Sequence, residues 1–359
     1  MGLGFSTGFS TWFARFFGPW SRQLPDELPK TDGKLTQKMQ VESNSSQDVW
    51  LRGVTVASEA CNINAEGSIL HQYNWGSQDG LDGLCSTVGV RDKQEDVVVT
   101  KEYSNGVIVH AVLDGHGGTA AVLHLKLLIE ERIRSIADLR QEVFDEIDEA
   151  IISRLREETS EASLSSGAVC VIAVREGNRI GIANIGDCVA LLSKGQMEGE
   201  DLISTVVKLT EDHNLKNAAE LSRLQAEGHT VSGGYLYDSL EVSRAFGDIE
   251  FASGEKLKGL TVTAQVLPIM EVTDGPEFVL VLGCDGISAV TQTQAMSIVR
   301  NALRNFSGTL PASAAAKKLV CACRKSEDNN SAIVVIVNRP PAYPPPKPYE
   351  GEEKDSVSQ

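Results

Sequence analysis

Three features that would point to particular classes of protein are missing from this sequence. It lacks an apolar run long enough for a membrane-spanning helix, so we expect none. It lacks an excess of positive charge: the net charge of −16 argues against nucleic acid or anionic lipid as a partner of the folded part. It also lacks CxxC pairs, and its seven cysteines are an odd set, several within apolar segments. These cysteines argue against a zinc site or disulfide framework and favour buried thiols in a reducing compartment.

The central pattern of the chain is an aliphatic run at 107–113 that ends in the glycine-rich sequence DGHGG at 114–118. The run predicts a buried strand. The glycines would let the backbone approach a ligand closely, and a glycine carbonyl could bind a cation together with the Asp114 carboxylate. Asp-Gly and Gly-Gly are also ordinary turn formers, so this pattern alone leaves a plain strand-to-helix turn open.

Composition divides the chain into four parts. Residues 1–24 are rich in aromatic residues at helical spacing and predict an amphipathic segment. Residues 25–47 are polar and read as a linker. We expect one folded domain at 48–339, followed by a disordered tail at 340–359 that is Pro-rich and then acidic.

The domain alternates between groups of strands and groups of helices. Apolar spacing predicts two amphipathic helices, one from Val122 to Ile136 and one from Leu139 to Leu155. Further helices are predicted at 218–225, 295–303 and 312–323. Strands are predicted at 86–90, 107–113, 168–174, 179–184, 189–193, 203–209, 261–272, 277–284 and 332–337. Tight glycine-containing connections between 168 and 193 predict antiparallel hairpins, and the whole implies an α+β layered sandwich.

Acidic residues recur where predicted strands begin or end. They are found in Arg91-x-x-x-Glu95-Asp96, in Gly186-Asp187, in Cys284-Asp285-Gly286 and in Asp328-Asn329. Each alone is more typical of a solvated turn. Together they supply oxygen ligands without a Cys or His cluster, which is the preference of Mg²⁺ or Mn²⁺. Two such ions about 4 Å apart form the usual arrangement for in-line attack on phosphorus.

These patterns together resemble the metal-dependent protein serine/threonine phosphatases of type 2C. The match runs in order through G-x-R-x-x-x-E-D at 89–96, L-D-G-H-G-G at 113–118, G-D at 186–187, E-D-H at 211–213, V-S-R-A-F-G-D at 242–248, C-D-G at 284–286 and D-N at 328–329. The resemblance implies a four-layer α/β/β/α sandwich, in which two antiparallel sheets are flanked by helices. It also implies a dinuclear metal site in a cleft at one end of the sheets.

Carried over position by position, the resemblance implies a centre of two Mg²⁺ or Mn²⁺ ions. Asp114 would bridge both ions, and Glu95 and the carbonyl of Gly115 would bind one of them. Asp285 and Asp328 would bind the other. The nucleophile would be a water activated by the metal, so no covalent phosphoenzyme is expected.

The resemblance also assigns roles around this centre. Asp96 would hold metal-bound water, and Arg91 would clamp the phosphate, since its planar donors suit a dianion. His116 would protonate the leaving serine or threonine oxygen. Asp187 would belong to a third, looser metal site, whose second aspartate is replaced here by Ala289. That site therefore lacks one of its ligands.

Two functions from different classes fit this pattern. The first is a protein phosphatase whose partners are phosphoprotein substrates, and we expect it to be a monomer. The second is a phosphatase-shaped scaffold that binds signalling partners without catalysis. The retained acids argue against the scaffold, because so many like charges have no physical reason to stay together without a metal. Arg244 and Asp248 are expected to brace the cleft rather than act chemically.

The first residues, Met-Gly-Leu-Gly-Phe-Ser, match the pattern for N-myristoylation of Gly2. One myristoyl chain binds a membrane only marginally, and the aromatic residues from Phe5 to Trp20 could supply the second anchor. We therefore expect a cytoplasmic protein attached to the cytoplasmic face of a membrane. A cleaved transit peptide and a helix that docks on the catalytic domain remain alternatives.

Overall fold

The computed structural model describes residues 53–56, 72–77, 81–158, 160–198, 201–272, 277–305 and 310–338. The predicted N-terminal segment at 1–24, the linker at 25–47 and the tail at 340–359 lie outside the described residues. Among the helices of the described ranges, none is both long and apolar enough to cross a bilayer.

Two large antiparallel sheets form the centre of the domain. The first contains, from edge to edge, β1 (Gly53–Val56), β2 (Gln72–Ser77), β3 (Asp82–Thr87), β16 (Asn330–Asn338), β15 (Glu277–Gly283), β8 (Val189–Glu198) and β9 (Asp201–Lys208). The second contains β13 (Gln265–Val266), β7 (Arg179–Ile185), β6 (Gly167–Glu176), β5 (Val107–His116) and β4 (Val97–Glu102), with β12 (Phe246–Gly247) paired to β6 and β14 (Met270–Glu271) paired to β7. A small hairpin of β10 (Val231–Ser232) and β11 (Tyr235–Leu236) lies apart from both sheets.

The α-helices of the described ranges are α1 (Ala120–Arg132), α2 (Gln141–Leu155), α3 (Glu161–Leu164), α4 (Ala218–Ala226), α5 (Gln292–Asn305) and α6 (Pro311–Cys323). Helices α1, α2, α5 and α6 cover the outer faces of the sheets, whereas Leu224 of α4 packs in a small separate core with Leu236 of the hairpin. The predicted helices at these places are confirmed, although α1 ends before Ile136, which lies in a short 3₁₀ turn. The two helices predicted to cover a sheet, α1 and α2, do so.

Three apolar cores separate four layers. One core lies between the second sheet and α1 with α2, one lies between the two sheets, and one lies between the first sheet and α5 with α6. Neighbouring residues of β5 show the alternation that a strand buried on both faces requires: Val112 belongs to the core between the sheets and Leu113 to the helix-side core. The predicted α+β four-layer sandwich is confirmed.

One predicted hairpin is wrong. The connection from β6 to β7 is a tight turn at Gly177, as expected, and the two strands pair. The connection from β7 to β8, however, carries the chain from the second sheet to the first. A short glycine-containing connection is compatible both with a hairpin within one sheet and with a crossing between two sheets. Apolar periodicity does not distinguish these cases, because it indicates that a strand is buried but not which sheet the strand joins.

The strand predicted at 261–272 is also wrong as a continuous element. This segment forms only the two-residue strands β13 and β14. Pro268 lies between them. Proline has no N–H to donate to a neighbouring strand, so it interrupts the pairing with β7.

Candidate active site

The predicted metal ligands come together because strand ends of both sheets meet at one end of the sandwich. In the second sheet Glu95 and Asp96 immediately precede β4, and the paired strand β5 reaches Asp114 near its own end. In the first sheet Asp285 follows β15, and Asp328 precedes the paired strand β16. The start of one antiparallel strand lies beside the end of its partner. The carboxylates of both strand pairs therefore lie at the same end of the sandwich.

A cavity of about 700 Å³ lies at this end of the sandwich. All of the predicted site residues line it except Asp96. Asp96 is buried behind the wall, with only 6% of its surface exposed. Ala289, which stands where the third metal site would need an aspartate, also lines the cavity. The structure thus brings the predicted residues into one place, and their individual roles remain predictions.

The carboxylates at the base of the cavity repel one another. Burial, and then the charges of Asp96 and Asp285, raise the pKa of Asp114 well above its usual value. Burial also raises the pKa of Asp285 to about 7, with Asp187 and Asp328 as further causes. Among the residues that line the cavity, acids therefore outnumber the cations, which are Arg91 and Lys325.

Asp96 is the most enclosed of these acids. Burial raises its pKa to about 6, although hydrogen bonds from Ser331 and Cys284 oppose this shift. The Ser331 hydroxyl donates to Asp96 Oδ2 at 2.6 Å. Carboxylate oxygens of Asp96 and Asp114 and the Cys284 sulfur all lie within 4.8 Å of one another.

Cys284 lies next to Asp96 and Asp114 and also contacts the backbone beside them. Burial and the nearby carboxylates of Asp96 and Asp114 raise the pKa of its thiol well above the usual value, so it stays protonated. Its sulfur accepts from the Ser331 amide at 3.2 Å, and its single S–H has two acceptors within reach, Asp96 and the Asn329 carbonyl at 3.4 Å.

This donor set fits divalent cations that prefer oxygen. The available ligands are carboxylates and the Gly115 carbonyl, which suit Mg²⁺ or Mn²⁺. Oδ1 of Asp285 is buried and has no hydrogen-bond partner within the described ranges. A bound cation would satisfy this oxygen and offset the repulsion between the acids.

Asn329 holds the loop that carries Arg91 and Glu95. Its side-chain amide donates to the carbonyls of Val88 at 2.9 Å and Lys93 at 3.0 Å, and its Oδ1 accepts from the Glu95 amide at 2.8 Å. The Asn329 side chain therefore makes three hydrogen bonds to the backbone of this loop, which has no regular secondary structure. The D-N pattern was visible in the sequence, but only its aspartate was assigned a role.

Arg91 lies at the rim of the cavity, half exposed. Its Nη2 donates to Asp328 Oδ2 at 2.7 Å, and its Nε donates to the Glu327 carbonyl at 2.7 Å. These two bonds fix the guanidinium beside a predicted metal ligand. The Nη1 donors make no hydrogen bond to the described residues and are left for an incoming anion.

His116 is paired with Asp248, a contact that the sequence did not lead us to expect. His116 Nε2 lies 2.8 Å from Asp248 Oδ1. Burial lowers the pKa of His116, but the charges of Asp248, Asp187 and Glu95 outweigh it and raise the pKa above the usual value. Asp248 therefore does more than brace the cleft, because it stabilises the protonated imidazole.

Gly167 makes room for this pair. It lies opposite His116 in β5 and opposite Gly247 in β12, so it stands between the histidine and the aspartate. A Cβ on Gly167 would lie 2.2 Å from Asp248 Oδ2 and 2.3 Å from His116 Nε2. Only a residue without a side chain permits the contact.

An ion pair between partly exposed Lys256 and buried Asp148 supports the turn that carries Asp248. Lys256 Nζ donates to Asp148 Oδ1 at 3.0 Å and to the carbonyls of Ala245 at 2.7 Å and Gly247 at 3.0 Å. Asp148 Oδ1 in turn accepts from the Gly247 amide at 2.9 Å. Asp248 itself has a φ of 55°, a strained conformation for a residue with a side chain, which this network holds in place.

Local contacts also fix Arg244 and the turn that precedes Asp187. Arg244 pairs with Glu220 of α4 and donates to the Thr263 carbonyl at 2.8 Å, which agrees with the expected bracing role. The turn before Asp187 is fixed by His213, whose Nδ1 accepts from the Gly186 amide at 3.2 Å. Burial lowers the pKa of His213 to about 4, so its ring is neutral and able to accept.

Comparisons with known proteins agree with this geometry. A family model described as protein phosphatase 2C matches residues 82–331. The chain is 29% identical to "Probable protein phosphatase 2C 22" of Arabidopsis thaliana over 255 residues, which is 64% of this chain and 62% of the relative. It is 30% identical to "Protein phosphatase 2C homolog 3" of Schizosaccharomyces pombe over 251 residues, covering 65% of this chain and 57% of the relative. The chain thus spans about three fifths of the length of these curated relatives.

Solved structures share the fold. A phosphatase from a pathogenic strain of Toxoplasma gondii superposes with a TM-score of 0.59 at 18% sequence identity. The superposition covers 76% of this chain and 98% of the other. At this identity the likeness concerns the fold alone.

Proposed function

This chain belongs to the protein phosphatase 2C family, and we propose that it hydrolyses phosphoserine and phosphothreonine in proteins with the help of Mg²⁺ or Mn²⁺. The observation that carries the proposal is the set of mutually repelling carboxylates around Asp114, in one cavity with Arg91 and His116. A scaffold without catalysis is the less favoured alternative, since it gives no reason for such an excess of acids in one cavity.

Five groups would hold two ions in this cavity. Asp114 would contact both, Glu95 and the Gly115 carbonyl one, and Asp285 and Asp328 the other. When bound, the ions would supply positive charge to the phosphoryl oxygens and lower the pKa of an attacking water.

Two further residues would handle the substrate. Arg91 would donate from Nη1 to a phosphoryl oxygen while Nε and Nη2 keep their present partners. His116, whose pKa is raised by Asp248 in spite of its burial, would donate its proton to the leaving serine or threonine oxygen. The proton would leave from the ring nitrogen that Asp248 does not engage.

The direct test is hydrolysis of a set of phosphopeptides by the purified chain with Mn²⁺ and with EDTA. We expect hydrolysis only with Mn²⁺, and loss of it in Asp114→Asn. Asp145→Asn is a matched control, because Asp145 is exposed on α2 and does not line the cavity. Full activity in EDTA would contradict the metal requirement. A folded, Mn²⁺-loaded protein with no activity on any peptide would favour the scaffold.

We also propose attachment to the cytoplasmic face of a membrane through a myristoylated Gly2 and the aromatic residues of the first 24 positions. This proposal rests on the sequence alone, because those residues lie outside the described ranges. Cell fractionation would compare the wild type with Gly2→Ala and with a variant carrying Phe13→Ser and Phe16→Ser. A soluble wild type, or membrane binding that neither variant reduces, would contradict it.

A further inference from the structure

A second cavity of about 340 Å³ adjoins the first. His116, Ser239 and Leu240 line both cavities, so the predicted general acid stands on their common wall. The volume falls within the range of about 300–1,000 Å³ that is usual for ligand sites. None of the predicted metal ligands lines this second cavity, and the reaction proposed above gives the cavity no role.

The walls of the second cavity combine apolar side chains with one buried acceptor. Leu240, Ile249 and Leu257 form the apolar part. Asp248 is 4% exposed, and its Oδ2 has no hydrogen-bond partner in the described part of the chain, while its Oδ1 is 2.8 Å from His116 Nε2. A buried carboxylate oxygen in apolar surroundings calls for an N–H or O–H donor.

We propose that this cavity binds a residue next to the phosphorylated residue of the substrate, with an apolar side chain against Leu240, Ile249 and Leu257 and its backbone N–H donating to Asp248 Oδ2. This inference rests on the proposed function. The leaving oxygen has to reach His116, so the polypeptide attached to that oxygen passes the wall shared by the two cavities. The neighbouring residue of the substrate then enters the second cavity, where its side chain and its amide meet matching groups.

Two measurable preferences follow. A phosphopeptide with leucine beside the phosphothreonine should have a kcat/KM about tenfold higher than one with aspartate there, mainly through KM, because a leucine side chain loses its contact with water. N-methylation of the amide of that leucine should lower kcat/KM about tenfold, because Asp248 Oδ2 loses its donor. Leucine would be placed before and after the phosphothreonine in separate peptides.

The variant Ser165→Phe tests the location. Ser165 is exposed, lines the second cavity and does not line the first, so phenylalanine would fill this space without entering the reaction centre. Ser232→Phe is the matched control, since Ser232 is exposed in β10 and lines neither cavity. We expect Ser165→Phe to abolish both preferences while hydrolysis of a small aryl phosphate stays at the wild-type rate, and Ser232→Phe to retain both.

The outcomes separate this inference from the proposed function. Hydrolysis of the aryl phosphate with no preference for leucine at either position would overturn the inference and leave the function in place. A preference that survives in Ser165→Phe, with a wild-type melting temperature, would also overturn it. No Mn²⁺-dependent hydrolysis of any substrate would overturn the proposed function itself.

Discussion

Gly167 is the residue on which the pairing of His116 with Asp248 depends. Alanine at this position would place a Cβ within 2.3 Å of atoms of both residues, so the pair has to separate. We expect Gly167→Ala to lower kcat for a phosphothreonine peptide roughly ten- to a hundredfold, which is less than the 10²–10⁴-fold that general acid catalysis usually contributes, because His116 itself is retained. Steady-state kinetics with saturating Mn²⁺ would measure it.

The control for this change is Gly177→Ala at the other end of β6. Gly177 has a φ of 60°, and a Cβ there would meet nothing within 4 Å. Alanine should cost about 1 kcal/mol of stability through backbone strain and leave kcat unchanged. Equal kinetic losses in the two variants would mean that general destabilisation, and not the His116–Asp248 pair, explains the result.

His116 itself should matter most when the leaving group is poor. A serine or threonine alkoxide needs a proton to leave, whereas a nitrophenolate leaves without one. We expect His116→Ala to reduce kcat/KM for a phosphothreonine peptide at least tenfold more than for 4-nitrophenyl phosphate. Parallel assays of the two substrates decide the point, and equal losses would assign His116 a different role.

At the scale of single residues, the sequence predicted the acids and missed the groups that hold them. Asp114, Asp285 and Asp328 stand at strand ends that a local pattern reveals. The contact of His116 with Asp248 joins positions 132 residues apart, and that of Glu95 with Asn329 joins positions 234 apart. Local spacing carries no information on such contacts. From the sequence, Asp248 was expected only to brace the cleft, and Asn329 had no predicted role beside the predicted ligand Asp328.

At the scale of elements, Glu220 links helix α4 to the segment that contains Ser243 and Arg244. This side chain is 5% exposed and accepts from Ser243 Oγ at 2.7 Å, from Arg223 at 3.3 Å and from Arg244. Burial alone would raise its pKa, but the hydrogen bonds from Arg244 and Ser243 and the charges of both arginines lower it to about 2. The carboxylate therefore stabilises the fold only while it is ionised.

This pKa predicts a defined pH window. The stabilisation is complete above the unfolded-state pKa of 4.5 and is lost as the pH falls through about 2. Glu220→Gln should lower the free energy of unfolding by about 3 kcal/mol at pH 7, since it leaves two arginines without their partner, and by clearly less at pH 3. Urea unfolding at both pH values measures the difference.

Glu227→Gln provides the comparison for Glu220. Glu227 also pairs with Arg223, but its side chain is 44% exposed, so its loss should cost less than about 1 kcal/mol. If Glu220→Gln lowered the free energy of unfolding by the same amount at pH 7 and at pH 3, packing and not the charge would account for the effect.

The elements were more predictable than their arrangement. Helices α1, α2, α5 and α6 follow from apolar spacing, because each buries one face on a sheet. Apolar spacing did not predict which strands belong to which sheet. Strand β16 joins the first sheet by pairing with β3, where Asn330 lies opposite Thr87, and only long-range hydrogen bonds decide such a partner. Residues 49–75 gave no assignment, yet β1 and β2 complete the edge of this sheet.

At the scale of the whole molecule, an acidic chain concentrates part of its charge in one cavity. The net charge is −16, and burial together with repulsion from neighbouring carboxylates raises the pKa values of Asp96, Asp114, Asp187 and Asp285. Without a cation, ionising these groups opposes folding, because the folded state favours their protonated forms. Stability and metal binding should therefore be linked throughout the domain.

This link gives opposite predictions for Asp114→Asn with and without metal. In EDTA at pH 8 the variant should melt at a higher temperature than the wild type, because it removes one buried charge from a repelling cluster. In Mn²⁺ at a hundred times its dissociation constant, the wild type should gain about 2.7 kcal/mol, which for a domain of this size is a rise of roughly 5–10 °C.

The asparagine variant should gain little from Mn²⁺, since it lacks the residue placed between both ions, so the order of the two melting temperatures should reverse. Asp145→Asn, an exposed change on α2, should follow the wild type in both buffers. Differential scanning calorimetry in EDTA and in Mn²⁺ measures all three proteins. A wild type that melts at the same temperature in both buffers would remove the support for a metal centre at Asp114. An asparagine variant that Mn²⁺ stabilises as much as the wild type would place the ions elsewhere.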